Sequence, residues 1–281
     1  MSGKIVGFGG RVLDARTKGV NQKYVNSPDS EIYHKDHELY GIYQAKRAIA
    51  KEDNVYMVEG YTDVISMHQC GIENVVANSG TALSVHQIQM LHRFTNNITL
   101  LYDGDAAGIH AALRGTDMLL LEGMNLKVLL LPNNEDPDSF ARQHTADEFK
   151  AYIEAHATDF IRFKTALLLD NETDPLKRSE AINSIVMSIS MVQNILRDTY
   201  LHDCAQRIGM NEMTLINQMN ALIRERKASG SMRVATPTTS AEQQQQTPVE
   251  APAQSSSNRV QTISEVEKFI LQLIIKYGNR V

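Results

Sequence analysis

Between positions 54 and 132 the bulky apolar residues fall into short continuous runs, and between the runs they recur every third or fourth position. The runs "NVYMVEG", "ENVVANS", "NITLLYD" and "NLKVLLLP" read as strands, because a strand buried on both faces shows no polar alternation. Helical spacing predicts a helix over 62–69 ending at Gly71. A second is predicted over 84–94, opened by a Ser84-x-x-Gln87 capping box, and a third over 106–122 ending at Gly123. Strands alternating with helices predict an α/β fold, a parallel sheet covered by helices on both faces. Ligand sites in such sheets lie at the carboxyl ends of the strands.

The flanks differ. Residues 4–13, "KIVGFGGRVL", predict a strand, a bend and a second strand, and "YVNSPDS" predicts another short strand entering a turn. Residues 36–51 predict a helix with Leu39, Ile42, Tyr43 and Ile49 on one side. Residues 145–228 are helical in pattern and predict a small bundle. Residues 229–261 carry almost no bulky apolar side chains and predict a disordered linker. After them, Thr262-x-x-Glu265 opens a helix whose apolar stripe includes Ile263, Val266, Phe269 and Ile270, with nothing of its own to pack against. The expected divisions are 1–51, 52–144, 145–228, 229–261 and 262–281.

Composition narrows this picture. Of 281 residues, 42% are hydrophobic, enough for a sizeable core. No apolar run approaches the roughly 20 residues that span a bilayer, and the N-terminus lacks the apolar stretch of a signal peptide. The expectation is a soluble cytoplasmic protein with no membrane partner. Cys70 and Cys204 are far apart and in no C-x-x-C spacing, which argues against a disulfide framework or a zinc site and for two small buried side chains. The net charge of −5 hides an asymmetry. Residues 1–51 hold nine Lys/Arg against five Asp/Glu, while 52–140 hold three against twelve. A basic segment beside an acidic one fits a polyanion held next to a cation, although solubility alone gives the same balance.

The acids cluster at strand ends. Glu59 closes "VYMVEG", Asp103 and Asp105 close "ITLLYDGD", and Asp136 and Asp138 follow "KVLLLP"; Asp63 lies four residues beyond Glu59. In a parallel sheet these carboxylates converge on one edge. Their mutual repulsion is relieved by a divalent cation, and oxygen ligands without His or Cys favour Mg²⁺ or Mn²⁺ over zinc. Each acid also has a local reading. Asp103 and Asp105 suit a turn and a helix cap, Asp136 before Pro137 suits an N-cap, and Asp63 suits the first turn of a helix. "DGDAAGIHAALR" is no EF-hand, since its twelfth position is Arg114. "GFGG" is no dinucleotide fingerprint, and a Walker A sequence is absent. An aspartate-nucleophile phosphatase also follows a strand with D-x-D, but Ala107 departs from its usual pattern.

"VEGYTD", "YDGDAAG" and "EDPDSF" together resemble the Toprim domain. With "IVGFGGRVL", "KYVNSPDSEIYHKDHELYG" and "LLLPNNEDPDSF", residues 3–145 resemble consecutive segments of bacterial DnaG-type DNA primases. The resemblance implies an RNA polymerase that builds short primers from ribonucleoside triphosphates on single-stranded DNA at the replication fork. It implies Glu59 as metal ligand or general base, Asp103 and Asp105 as metal ligands, and Asp63, Asp136 and Asp138 as further metal acids. It implies Mg²⁺ or Mn²⁺ as cofactor. It also implies Arg11, Lys23 and Lys35 on template or nucleotide phosphates, and a replicative helicase as partner of the C-terminal region. Family members carry an N-terminal zinc-binding domain and the first part of the polymerase domain, neither of which is in this sequence, so zinc is expected only there. The chain therefore reads as a fragment that binds metal and primes poorly alone. Two other readings stay open: a Toprim metal-dependent nuclease, and a non-catalytic fragment docking on helicase or DNA through residues 145–281.

Overall fold

The computed structural model describes residues 3–11, 24–78, 83–103, 113, 116–132, 135–192 and 194–233. The chain divides into two units, 1–235 and 236–281; the second, with the helix expected at 262–281, lies outside the described residues.

The expected strands form one sheet. Strands β3 (Val55–Val58), β4 (Val75–Ala77), β5 (Asn97–Tyr102) and β6 (Asn125–Leu130) are parallel, in the order β4-β3-β5-β6. A two-residue strand β7 (Thr158–Asp159) adds antiparallel to β6, an edge that the helical pattern of 145–228 did not announce. At the N-terminus, β1 (Gly9–Arg11) and β2 (Tyr24–Asn26) form a separate antiparallel pair, with Gly9 opposite Asn26 and Arg11 opposite Tyr24. Of the two strands expected within 4–13, the described residues form only β1.

Successive side chains of a strand point to opposite faces, and the two halves of the core follow. Val55, Met57, Ile98, Leu100, Leu126 and Val128 face one layer of helices. That layer contains α1 (Ile42–Glu52), α3 (Val85–Leu91), α4 (Thr116–Leu121) and the bundle α7 (Phe160–Leu169), α8 (Pro175–Met191), α9 (Asn194–Ile208) and α10 (Glu212–Arg233). Tyr56, Val58, Leu101 and Leu129 face α2 (Tyr61–Cys70), α5 (Pro137–Gln143) and α6 (Ala146–His156). The expected sheet covered on both faces is therefore borne out.

Several boundaries differ from expectation. Helix α1 starts at Ile42 rather than near residue 36. Gly41 takes φ +84°, and a Cβ there would meet Val64 at 2.9 Å, so the helix cannot run back through it. Tyr40 instead bridges to Ala77 at the end of β4. Tyr43 is 47% exposed, not part of the buried stripe that Leu39, Ile42 and Ile49 do form. Helix α10 runs through Arg233, five residues into the stretch whose composition predicts a linker. Most of the helix expected over 106–122 lies outside the described residues; its end at Leu121 before Gly123, at φ +83°, matches. Cys204 is buried as expected, and Cys70 is half-buried, its thiol donating to the His144 carbonyl. Among the described residues no helix is long and apolar enough to cross a membrane.

The amino end of the sheet is closed by a polar ladder. Asp53, in a left-handed conformation with φ +46°, accepts from Thr95 Oγ1 at 2.8 Å and from Asn97 Nδ2 at 3.0 Å. Asn125 Nδ2 donates on to Asn97 at 2.8 Å. Both oxygens of the Asp53 carboxylate at this end are met by donors. The opposite end carries the acids.

Candidate active site

Register places the acids side by side. Met57 pairs with Leu100, and Tyr102 with Leu130, so β3, β5 and β6 end next to one another. Glu59 follows β3 and is exposed; Asp103 follows β5 and is half-buried. Asp136 opens α5 just after β6. Its side chain accepts the Ser139 N–H at 2.7 Å, and Pro137 stands at the first helical position, where no N–H is needed. Asp63 sits inside the first turn of α2, 8% exposed, and accepts the Gly60 N–H at 2.9 Å.

The local readings of Asp63 and Asp136 are thus correct, and they do not exhaust these residues. A cap occupies one carboxylate oxygen. The field at Asp63 shows what surrounds the other. Burial pushes its carboxyl up to about 7, against the Gly60 hydrogen bond, and the charges of Asp136, Asp103 and Asp138 push the same way. Four carboxylates from three strand ends therefore share one electrostatic neighbourhood.

Asp138 is the most committed of them. It accepts from the Ser66 hydroxyl on α2 and pairs with Arg142 Nη2 at 2.9 Å, one turn along α5. The clamp locks α2 against α5 and so fixes the segments that carry Asp63 and Asp136. Glu135, not anticipated from the sequence, adds a fifth acid: its Oε2 is buried with no hydrogen-bond partner among the described residues. An orphaned carboxylate oxygen beside Asp136, in an all-oxygen donor set with excess negative charge, fits a hard divalent cation. No group of three His, Cys, Asp or Glu among the described residues is already gathered in metal-ligating geometry. Asp105, the expected partner of Asp103, lies outside them.

The basic candidates lie on segments separate from this edge. Arg11 ends β1, its side chain outside the described residues, as is the whole of Lys23, which precedes β2. Lys35 lies on the loop before α1. Gln87, fully buried, pins that loop by donating from Nε2 to the carbonyls of Lys35 at 3.0 Å and Glu38 at 2.7 Å. The same Gln87 closes the α3 capping box on Ser84, which was its only role legible in the sequence. The loop ends at Tyr40, bonded to Ala77 at the carboxyl end of β4. No ion pair joins Lys35 to the acids among the described residues. A cleft of about 620 Å³ opens between residues 3–9 and helices α1 and α3. None of the site acids lines it; it meets the acidic edge at Tyr61.

Comparison with known proteins supplies the family. A Toprim-like family model matches residues 56–141, and a model of the DNA primase catalytic core, N-terminal domain, matches residues 1–46. A DNA primase domain from Pseudomonas aeruginosa is 33% identical, superposes with a TM-score of 0.67, and is matched over 77% of this chain and 68% of its own. The chain belongs to the DnaG-type DNA primase family. A DnaG primase catalytic domain bound to single-stranded DNA is also 33% identical, with a TM-score of 0.65, over 75% of this chain and 67% of that one. The DNA primase of Clostridium acetobutylicum is 36% identical over 228 residues, which are 79% of this chain and 37% of that primase. The chain thus spans under two-fifths of the length of that primase. The two family models meet within the primase chain around α1 and β3, and so separate the β1–β2 pair and Lys35 from the acidic edge.

Proposed function

We propose that this chain carries the metal-binding centre of a DNA primase, which joins ribonucleotides into short RNA primers on single-stranded DNA. The observation that carries the reading is the shared field of Asp63, Asp103, Asp136 and Asp138 at the carboxyl edge of a parallel sheet. The relatives' names and the DNA-bound neighbour support it.

Mg²⁺ or Mn²⁺ is the cofactor this donor set suits. Glu59, Asp103 and Asp105 would hold it, with the oxygens of Asp136 and Asp63 not used in capping facing the same space. When bound, the cation neutralises phosphate charge and lowers the pKa of an attacking hydroxyl. The chain's own residues do the rest. The Ser66–Asp138–Arg142 clamp keeps two ligand-bearing segments at fixed separation. Arg11, Lys23 and Lys35 hold template or nucleotide phosphates without reading sequence. Glu59, exposed at the end of β3, would serve either as metal ligand or as acceptor of the attacking hydroxyl's proton. The C-terminal segment is the docking element for a replicative helicase.

The test is Mn²⁺ titration by paramagnetic resonance at low salt, on the wild type and on Asp103→Asn/Asp105→Asn, followed by primer extension on a single-stranded template. Mn²⁺ binding by the wild type and not by the double variant is expected. Equal binding, or none, sinks the reading.

A further inference from the structure

The basic strands and the acidic edge belong to different parts of the chain, and one side chain joins them. Tyr61 opens α2 two residues after Glu59. Its hydroxyl donates to Asn26 Oδ1 at 2.7 Å, and its ring covers Gly9. Gly9 and Asn26 are cross-strand partners in the β1–β2 ladder, so Tyr61 addresses both halves of a single pair. The fit has no slack. A Cβ on Gly9 would stand 2.5 Å from Tyr61 Cε2 and 3.0 Å from Cδ2. The ring is backed in turn by Tyr40, whose centroid lies 4.5 Å away and whose backbone is bonded to Ala77 at the end of β4. Ser27 fastens the same strand to Phe8: its N–H donates to the Phe8 carbonyl, and its hydroxyl accepts from the Phe8 N–H, both at 2.9 Å.

From this geometry we infer that Tyr61 is a positioning residue that sets the distance between the phosphate-holding strands and the metal-holding acids. Arg11 ends β1 and Lys23 precedes β2, so both adjoin the Arg11–Tyr24 end of the short pair whose other end, Gly9–Asn26, Tyr61 grips. Glu59 is two residues from Tyr61 on the acidic side. A shift of the ring therefore moves one set of charges relative to the other and changes neither set. The inference rests on the metal-and-template reading above.

Two variants test it by different routes. Tyr61→Phe keeps the ring and removes the Asn26 hydrogen bond. Gly9→Ala keeps every polar group and pushes the ring aside. Three measurements are made on the full chain: amide hydrogen exchange, anisotropy of a fluorescent oligothymidylate, and Mn²⁺ binding by paramagnetic resonance. Both variants are expected to speed exchange at β1–β2 by about three- to tenfold, the weight of one neutral hydrogen bond, while β5 and β6 are unchanged. Oligothymidylate binding weakens by a similar factor, and Mn²⁺ affinity stays within about twofold of wild type. A merely structural role would lower the last two together. Unchanged exchange in both variants overturns the inference whatever the protein binds. Faster exchange with undiminished oligothymidylate binding overturns it too, as does parallel loss of Mn²⁺. A wild type that binds neither probe overturns the metal-and-template reading, and the positioning role falls with it.

Discussion

Asp63 uses one oxygen to cap α2, and its carboxyl lies in the field of three other acids. Its proton is held up to about 7, by burial first and then by the neighbouring charges. The consequence for stability has a definite sign. A carboxyl whose folded pKa lies above its ordinary 3.8 favours the fold when protonated. That contribution is complete below about pH 4 and is lost as pH rises toward 7. In chelator, the urea midpoint of the wild type should therefore fall across this window relative to Asp63→Asn, by on the order of a few kcal/mol. Mg²⁺ should return most of the loss near pH 7 in the wild type and little in the variant. Parallel pH profiles for the two proteins would remove Asp63 from the acidic field.

At the scale of elements, a buried cation links the bundle to helix α4. Lys164 on α7 is 6% exposed; its ammonium donates to the Ser184 carbonyl at 3.0 Å and to Ser188 Oγ at 2.8 Å, both on α8. Ser188 donates on to Asp117 in the first turn of α4 at 2.8 Å. Burial lowers the Lys164 pKa, and Asp117 partly opposes it. Removing the ammonium with its stem strands two partners and opens a void, so Lys164→Ala should destabilise by about 3–5 kcal/mol. Lys164→Met keeps the volume and should cost about half as much; equal losses would show that the relay, not the packing of the stem, holds the helices together. Pairings of this kind, with partners 24 and 71 residues apart, leave no local mark. The strands, the capping box at Ser84 and the Asp136–Pro137 start were legible because each rests on spacings within a turn or two. The start of α1 was not, because a left-handed Gly41 and the Tyr40–Ala77 bridge override a continuous apolar stripe. Strand β7 has only two residues and is defined solely by its partner β6. Of the site, the acids were visible as strand-end residues, while Glu135, Gln87 and the Ser66–Asp138–Arg142 clamp emerge only when α2, α3 and α5 are brought together.

Across the whole molecule, the sign of charge changes where the polyanion and the cation would meet. Residues 1–51 carry a net +4 and residues 52–140 a net −9. Without a divalent cation the acidic edge repels the phosphates that the first segment attracts, and at a distance the larger negative charge prevails. Mg²⁺ acts on such a surface in two opposite ways. It competes for DNA phosphates, as any salt does, and it neutralises the acidic edge. A merely basic surface shows only the first, so its DNA affinity falls as Mg²⁺ replaces Na⁺ at constant ionic strength. Here the second should dominate at low millimolar concentrations: oligothymidylate binding should tighten by about threefold or more, and Asp103→Asn/Asp105→Asn should bind tightly from the start and gain nothing. Lys35→Ala should lower the slope of log affinity against log salt by about 0.7, one phosphate contact on a single strand, and leave the Mg²⁺ response intact. If Mg²⁺ weakens binding in the wild type as it does in the double variant, the acids and the strand do not share one site, and the charge asymmetry serves only solubility.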